Sequence, residues 1–254
     1  MPPKVSVITP LYQGEEHIEQ CLKSVIDQGR DDVEHLLIDN NSTDHGPEIV
    51  RAYAETHPHI RLLHNPVQGA GPSRNLGIHA AEGRYIAFLD SDDWWHSEKL
   101  DQQISAMEEH SAVFSWTSYD VVDQTGRRIR TQSAPKVMTV RRHLLKTGTI
   151  GCLTVVYDTE ALGRRYMNDL GLRQDFCLWL HILRSCEEEN LRTIGLKMPL
   201  ACYRSHRNGI SANKWAAAKM QWRACRTHAD LSFPLAVVCF LSYTLNGIID
   251  RVRR

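Results

Sequence analysis

GAGPSRNLGIHAAEGRYIAFLDSDDWW, residues 69–95, decides the fold. Pro72 opens a helix that runs to Ala81 and is closed by Gly83. Tyr85–Leu89 is an unbroken apolar run of strand length, and it ends on Asp90. A helix that hands over to a buried strand, with polar residues at the strand's carboxyl end, is one unit of an α/β sheet. The units upstream repeat it. Val5–Thr9 is a β-branched strand. Glu15–Gln28 places Ile18, Cys21, Leu22, Val25 and Ile26 at helical spacing. Val33–Ile38 is a second strand, ending at Asp39. Ser42 is placed to cap a helix that runs to about His57, and Ile60–Leu63 is a third strand. This alternation predicts a mostly parallel central sheet with helices on both faces. Ligands in such sheets bind beyond the carboxyl ends of the strands, so Thr9, Asp39 and Asp90 are expected to line one crevice.

Beyond Trp95 the pattern is less regular. Val113–Val122 reads as a strand with a hairpin partner at Gly126–Arg130, and residues 139–147 as a short helix. Leu153–Tyr157 reads as a strand, Arg173–Ser185 as an amphipathic helix, residues 199–203 as a short strand, and the chain from about Ala212 as helical.

The 254 residues are 42% hydrophobic and 24% charged, which is globular composition. The net charge is zero, so nothing draws the whole chain to nucleic acid. Residues 1–203 nevertheless carry a net of −7, and residues 204–254 a net of +7. The seven cysteines show no CxxC pair and are read as reduced thiols of a cytoplasmic protein. MPPKVSVITP holds no apolar run of secretory-signal length.

Asp90-Ser91-Asp92-Asp93 carries the strongest chemical signal. Three carboxylates within four residues repel one another unless a cation joins them, and oxygen-rich sets suit Mg²⁺ or Mn²⁺ shared with phosphates. By itself such a run is an ordinary acidic turn; its setting makes it more. Gly69-Ala70-Gly71 precedes a helix N-terminus, where backbone N–H groups favour an anion. Arg74 adds a planar cation suited to phosphate. No GxGxxG follows the first strand, so a dinucleotide-binding fold is not supported.

VSVITPLYQ, LIDNNSTD, GAGPSRNLGIHAAEGRYIAFLDSDDWW, RQDFCLWLHILR and YRSHRNGIS, in this order and spacing, resemble the family-2 glycosyltransferases of GT-A fold. The likeness spans about residues 4–212. The stretch from GTIGCLTVVYDTE onward further resembles transferases of bacterial surface-polysaccharide assembly, teichuronic-acid types among them. The resemblance implies a catalytic domain over residues 1–211 with a helical tail over 212–254. It also implies transfer of a sugar from a nucleotide-diphosphate donor, UDP-linked, to a saccharide or lipid-linked saccharide hydroxyl. By the same likeness Thr9, Pro10, Leu11, Tyr12, Asp39 and Asn41 hold the base and ribose, and Arg74 faces the diphosphate. Asp90, Ser91 and Asp92 form the DxD element, and Asp92, with His206, binds Mn²⁺ or Mg²⁺. Asp175 is the base that deprotonates the acceptor hydroxyl as it displaces the diphosphate with inversion. Arg204 and Arg207 are placed to add positive charge over the phosphates.

The chain departs from the common pattern at Asn40-Asn41, where Asp-Gly is usual, which loosens the choice of base. It departs again at Gln174, where Glu is frequent, which leaves Asp175 as the clearer base. Trp94 and Trp95 are read as sugar-stacking or core residues, with at least one in the core. A nucleotidyltransferase would carry a Gly-rich basic loop after the first strand, where PLYQGEEHIEQ stands instead. A non-catalytic binding protein would be expected to lack Asp92 or Asp175.

Phe233–Ile249 is a 17-residue run without charge, shorter than the roughly 20 residues of a bilayer span. Four basic residues precede it from Lys214 to Arg226, and Arg251, Arg253 and Arg254 follow. Such flanks describe a helix lying on an anionic surface, peripheral to the inner face of the plasma membrane, or one packed on the domain. No feature specifies an oligomeric state.

Overall fold

The computed structural model describes residues 3–140, 150–168 and 173–205, with scattered helical positions between 219 and 242. The expected helix at 139–147, the boundary at 211/212 and most of the tail lie outside the described residues. No described helix is long and apolar enough to cross a membrane.

The first half follows the predicted alternation. β1 (Val5–Leu11), β2 (Val33–Asp39), β3 (Ile60–His64) and β4 (Tyr85–Phe88) alternate with α1 (Ile18–Ile26), α2 (Gly46–Thr56) and α3 (Ala70–Ala80). These strands are parallel, in the order β3-β2-β1-β4, with Leu11 opposite Asp39 at the ends of β1 and β2. β1, β2 and β4 are buried on both faces because helices cover both, while β3, at the sheet edge, is partly exposed. Val5, Val7 and Leu11 pack with Leu22 of α1 and Val50 of α2, while Ile8, Leu36 and Phe88 pack with Ile78 of α3. Gly77 lets α3 lie directly on β1, since a Cβ there would stand 2.5 Å from Ile8 Cγ2.

The second half departs from a parallel sheet. It comprises β5 (Trp94–Trp95), α4 (Lys99–Glu109), β6 (Ala112–Val122), β7 (Arg128–Gln132), β8 (Val156–Asp158), α5 (Thr159–Leu162), α6 (Gln174–Glu188) and β9 (Arg192–Arg204). The sheet continues β4-β8-β6-β9-β5, with β7 also on β6. β8 is antiparallel to β4 and β6, β5 to β9 and β7 to β6, whereas β9 runs parallel to β6. The sheet is therefore mixed rather than mostly parallel. Trp179 and Leu183 of α6 join Phe88, Phe114 and Tyr157 in the core on the α3 side.

Three local expectations are corrected. Ser42 does not cap α2; its N–H donates to Asp39 Oδ1 at 3.0 Å in a turn, and Asp44 Oδ1 instead receives the Gly46 N–H. Cys152–Thr154 is a short 3₁₀ turn, closed by the Thr154 hydroxyl on the Gly151 carbonyl, and the strand starts only at Val156. β9 is 13 residues long rather than five: Ile194, Leu196, Met198 and Leu200 alternate along it, but Gly195 and Pro199, ordinarily breaks in a strand, interrupt the pattern.

Candidate functional site

A cavity of about 620 Å³ opens at the carboxyl ends of β1, β2 and β4. Pro10, Leu11 and Tyr12 line it from β1, Asn40 from the end of β2, and Gly69, Ala70 and Arg74 from the start of α3. Asp90, Ser91 and Asp92 follow β4, and Tyr203 enters from β9. Thr9 does not reach it. That side chain is buried, with Oγ1 2.9 Å from His35 Nε2. Burial, with His59 nearby, pushes the His35 imidazole down to about 3 and keeps it neutral, so this pair couples β1 to β2 inside the core.

Asp39 and Asn41 stand beside the cavity rather than in its wall. Asp39 Oδ2 lies 3.5 Å from His64 Nδ1, while its Oδ1 holds the Ser42 turn. Asn41 takes a positive φ of 64°, a conformation Asn tolerates better than most residues. Asn40 is the structural member of the pair. Its Nδ2 donates to the carbonyls of Asn65 and Val67, and its Oδ1 accepts the Gly69 N–H at 2.7 Å. An amide does this better than a carboxylate, which has no donor. It fixes the loop that presents Gly69 and the N-terminus of α3 to the cavity.

Arg74 is buried, with Nη2 donating to Asp90 Oδ1 and a buried Nε that has no partner. Burial opposes its charge, but Asp90 outweighs that and the guanidinium stays above its ordinary range; Asp175 acts in the same direction. Asp175 is brought to this locality by close packing of α6 on α3. The Gln174 side chain lies over Gly71, where a Cβ would stand 2.3 Å from Gln174 Oε1. Arg173 enters α6 through a left-handed φ of 66°, and Asp175 Oδ1 accepts the Phe176 N–H. Arg74 and Asp90 thus form an ion pair, and Asp175, at the amino end of α6, adds to the negative field at Arg74.

The three carboxylates of the 90–93 run separate. Asp90 and Asp92 line the cavity. Asp93 turns inward, is 1% exposed, and accepts the Arg204 N–H at 2.8 Å while its Oδ2 has no partner. Burial, then Asp92 and Asp90, hold its pKa well above the usual carboxylate value. Arg204 is not displayed over the cavity either. It is buried, donating from Nε to the Asp92 carbonyl at 3.0 Å, from Nη1 to the Gln124 carbonyl and from Nη2 to Gln20 Oε1. It also stacks on Trp94, 4.9 Å from the ring centroid. A buried guanidinium seeks several acceptors, and here it ties the turn after β4 to α1, β9 and the β6–β7 turn. Trp95 is core, its Nε1 bonded to the Leu153 carbonyl. His206 and Arg207 lie outside the described residues.

The profile of Glycosyl transferase family 2 matches residues 6–170. The chain belongs to this family. The transferase is 38% identical to the putative teichuronic acid biosynthesis glycosyltransferase TuaG of Bacillus subtilis (strain 168), over 98% of both chains. It is 34% identical to the UDP-Glc:alpha-D-GlcNAc-diphosphoundecaprenol beta-1,3-glucosyltransferase WfgD of Escherichia coli, over 96% of this chain and 93% of that one. Its GT-A-like fold is shared with S. aureus TarS 1–349 in complex with UDP-GlcNAc, at a TM-score of 0.70 and 22% identity over 92% of this chain and 69% of that one. The mannosyltransferase PcManGT from Pyrobaculum calidifontis, in complex with GDP-Man and Mn²⁺, aligns at a TM-score of 0.64 and 17% identity over 94% and 68% of the two chains.

In the family-2 transferase the structure adds cavity residues that sequence reasoning passed over: Gln13, Gly14, Glu16, His17, Gln68 and Tyr203. Tyr203 and Gln13 carried a signal, as the first residue of YRSHR and the last of VSVITPLYQ. The others sit in connecting loops, where no periodicity marks a face.

Proposed function

We propose that the transferase is an inverting, metal-dependent enzyme that moves a sugar from a UDP-sugar to a hydroxyl of a lipid-linked saccharide in surface-polysaccharide assembly. The observation that carries this reading is that Asp90, Asp92 and Arg74 share one cavity with Asp175 beside them. Tyr12, 60% exposed at the cavity mouth, offers a ring face to the base. Asp39 and Asn41 flank the same end, and Thr9 supports it from the core.

Two carboxylates at the cavity wall, Asp90 and Asp92, form a donor set that fits Mn²⁺ or Mg²⁺, and after burial their charges are the next causes that raise the pKa of Asp93. Asp92, with His206, would hold the ion. Bound there, it supplies Lewis-acid stabilisation of charge on the departing diphosphate. Arg74 adds a fixed positive field next to the same group. Asp175 accepts the proton of the acceptor hydroxyl as that oxygen attacks the anomeric carbon, while the bond to the diphosphate breaks. A retaining double displacement would need a second carboxylate placed as a nucleophile, and nothing in the sequence marks one; Asp90 is tied to Arg74 and Asp93 to the Arg204 amide.

UDP affinity measured by calorimetry is expected to be strong with Mn²⁺ and to weaken sharply with chelator. Equal affinity in both conditions would remove the metal from the proposal. UDP-glucose is the first donor to test, since WfgD is named for it. The tail is proposed to rest on the membrane that carries the acceptor, because basic residues flank its apolar run and each contributes about 1 kcal/mol near an anionic surface. Full-length protein is expected to co-sediment with anionic vesicles at low salt and to be released at high salt, where charges are screened beyond about 10 Å at 0.1 M. Truncation after about Thr227 is expected to reduce the effect; if the truncated form sediments equally, the tail is not the contact.

A further inference from the structure

We propose that His96, Asp120 and Cys202 form a zinc-binding site, separate from the donor cavity, that clips β5, β6 and β9 together. One imidazole nitrogen, one carboxylate oxygen and the thiol sulfur all lie within 4.8 Å of one another. They come from three segments that the sheet brings into register. Cys202 is the cross-strand partner of Asp120 in the parallel β6–β9 ladder and of Trp94 in the β5–β9 pair. His96 follows β5 directly. Its backbone is held on both sides, with N–H donating to the Leu200 carbonyl and C=O accepting Gln28 Nε2.

The sulfur–nitrogen edge of the site fits the ion. Cys202 Sγ is 3.5 Å from His96 Nε2. Zn–S near 2.3 Å and Zn–N near 2.0–2.1 Å put the S···N edge of a tetrahedron at roughly 3.5 Å. Asp120 is already oriented from behind, since Thr131 Oγ1 donates to its Oδ1 at 2.5 Å. Second-layer hydrogen bonds of this kind hold metal-ligating carboxylates in place. Arg128 Nη1 stands 3.9 Å from Asp120 Oδ2 and, among the described residues, is the cation paired with this acid. Its exposed side chain can swing to solvent when a dication arrives. Asp120 and Cys202 are buried, while His96 is exposed and provides the entry path. Three protein ligands leave a fourth position for water.

The donor set separates this site from the cavity. Sulfur and imidazole select Zn²⁺ over the Mg²⁺ or Mn²⁺ that suit the two carboxylates of the cavity. Sulfur binds zinc as the thiolate rather than the thiol. Zinc therefore binds with loss of the thiol proton to solvent, forming one Zn–S bond for one S–H bond broken. Cys202 precedes Tyr203, which lines the cavity, and Arg204, which holds the Asp92 carbonyl. An ion here would stiffen the strand that supports both.

The test uses tag-free, full-length protein stripped with chelator and titrated with Co²⁺. We expect one equivalent to produce a thiolate-to-cobalt charge-transfer band that Zn²⁺ displaces. We expect Zn²⁺ to raise the melting temperature of the wild type. Cys202→Ser and His96→Ala should each lose the band and the shift, while both keep Mn²⁺-dependent UDP binding. His96 is exposed, so His96→Ala tests the site even if Cys202→Ser fails to fold. No cobalt–thiolate band in the wild type, or a band that persists in His96→Ala or in folded Cys202→Ser, overturns the proposal.

Discussion

Asp175→Asn is expected to slow sugar transfer about 10²–10⁴-fold, the range general-base catalysis usually supplies. The amide has nearly the same shape, and its oxygen can still accept the Phe176 N–H that Asp175 Oδ1 accepts. The helix behind it does not depend on the charge, because Phe176, Leu178, Trp179, Ile182 and Leu183 are buried. Melting temperature is therefore expected to stay close to wild type. What is lost is the ability to take the proton of the incoming hydroxyl. UDP affinity should change little. Asp175 is only a secondary contributor to the field at Arg74, behind Asp90. Rates measured with saturating donor and a true acceptor, beside calorimetry of UDP, separate the two effects. Near-normal turnover in the variant would place the base elsewhere.

The alternating half of the chain was legible because burial on both sheet faces writes itself as short apolar runs between amphipathic helices. β1, β2, β3 and β4 all lie within two residues of their expected ends. β9 was half hidden, since Gly195 and Pro199 interrupt the alternation of Ile194, Leu196 and Met198, while only Leu200–Cys202 are continuously buried. Antiparallel insertion of β8 between β4 and β6 was invisible to periodicity. Strand direction depends on which partner is available, and three residues carry no record of it.

Proximity in sequence was a poorer guide to the site than position on a strand end. Asp92 and Asp93 are neighbours, yet one lines the cavity and the other is sealed beneath it. Arg204 was expected over the phosphates because a basic residue in a loop is ordinarily solvated. The structure buries it and gives it three acceptors and an aromatic face instead. A sequence shows that a cation is present, and only the tertiary contacts show which way it points. Asn40 makes the same point in reverse. It read as a departure from the family pattern, but its amide bonds both to the 65–67 carbonyls and to the Gly69 N–H, a combination that needs a donor and an acceptor on one short side chain.

Asp92→Ala is expected to lower transfer by at least about 10³-fold, since Lewis-acid stabilisation of a leaving group supplies several kcal/mol and each 1.36 kcal/mol is tenfold in rate. Mn²⁺-dependent UDP binding should fall with it. The fold should survive. The contact that anchors this turn runs from Arg204 Nε to the Asp92 backbone carbonyl, which alanine retains. The Asp93–Arg204 hydrogen bond is also a backbone contact on the arginine side and does not involve the Asp92 carboxylate. Charge repulsion moreover favours the variant. After burial, Asp92 is the first charge that raises the pKa of Asp93, so removing it relieves a buried acid with one unpartnered oxygen. Melting temperature in the absence of metal is thus expected to hold or rise while activity disappears. That opposite movement distinguishes a ligand from a structural acid. A clear fall in melting temperature would assign Asp92 to the scaffold, and retained Mn²⁺-dependent UDP binding would take it out of the metal site.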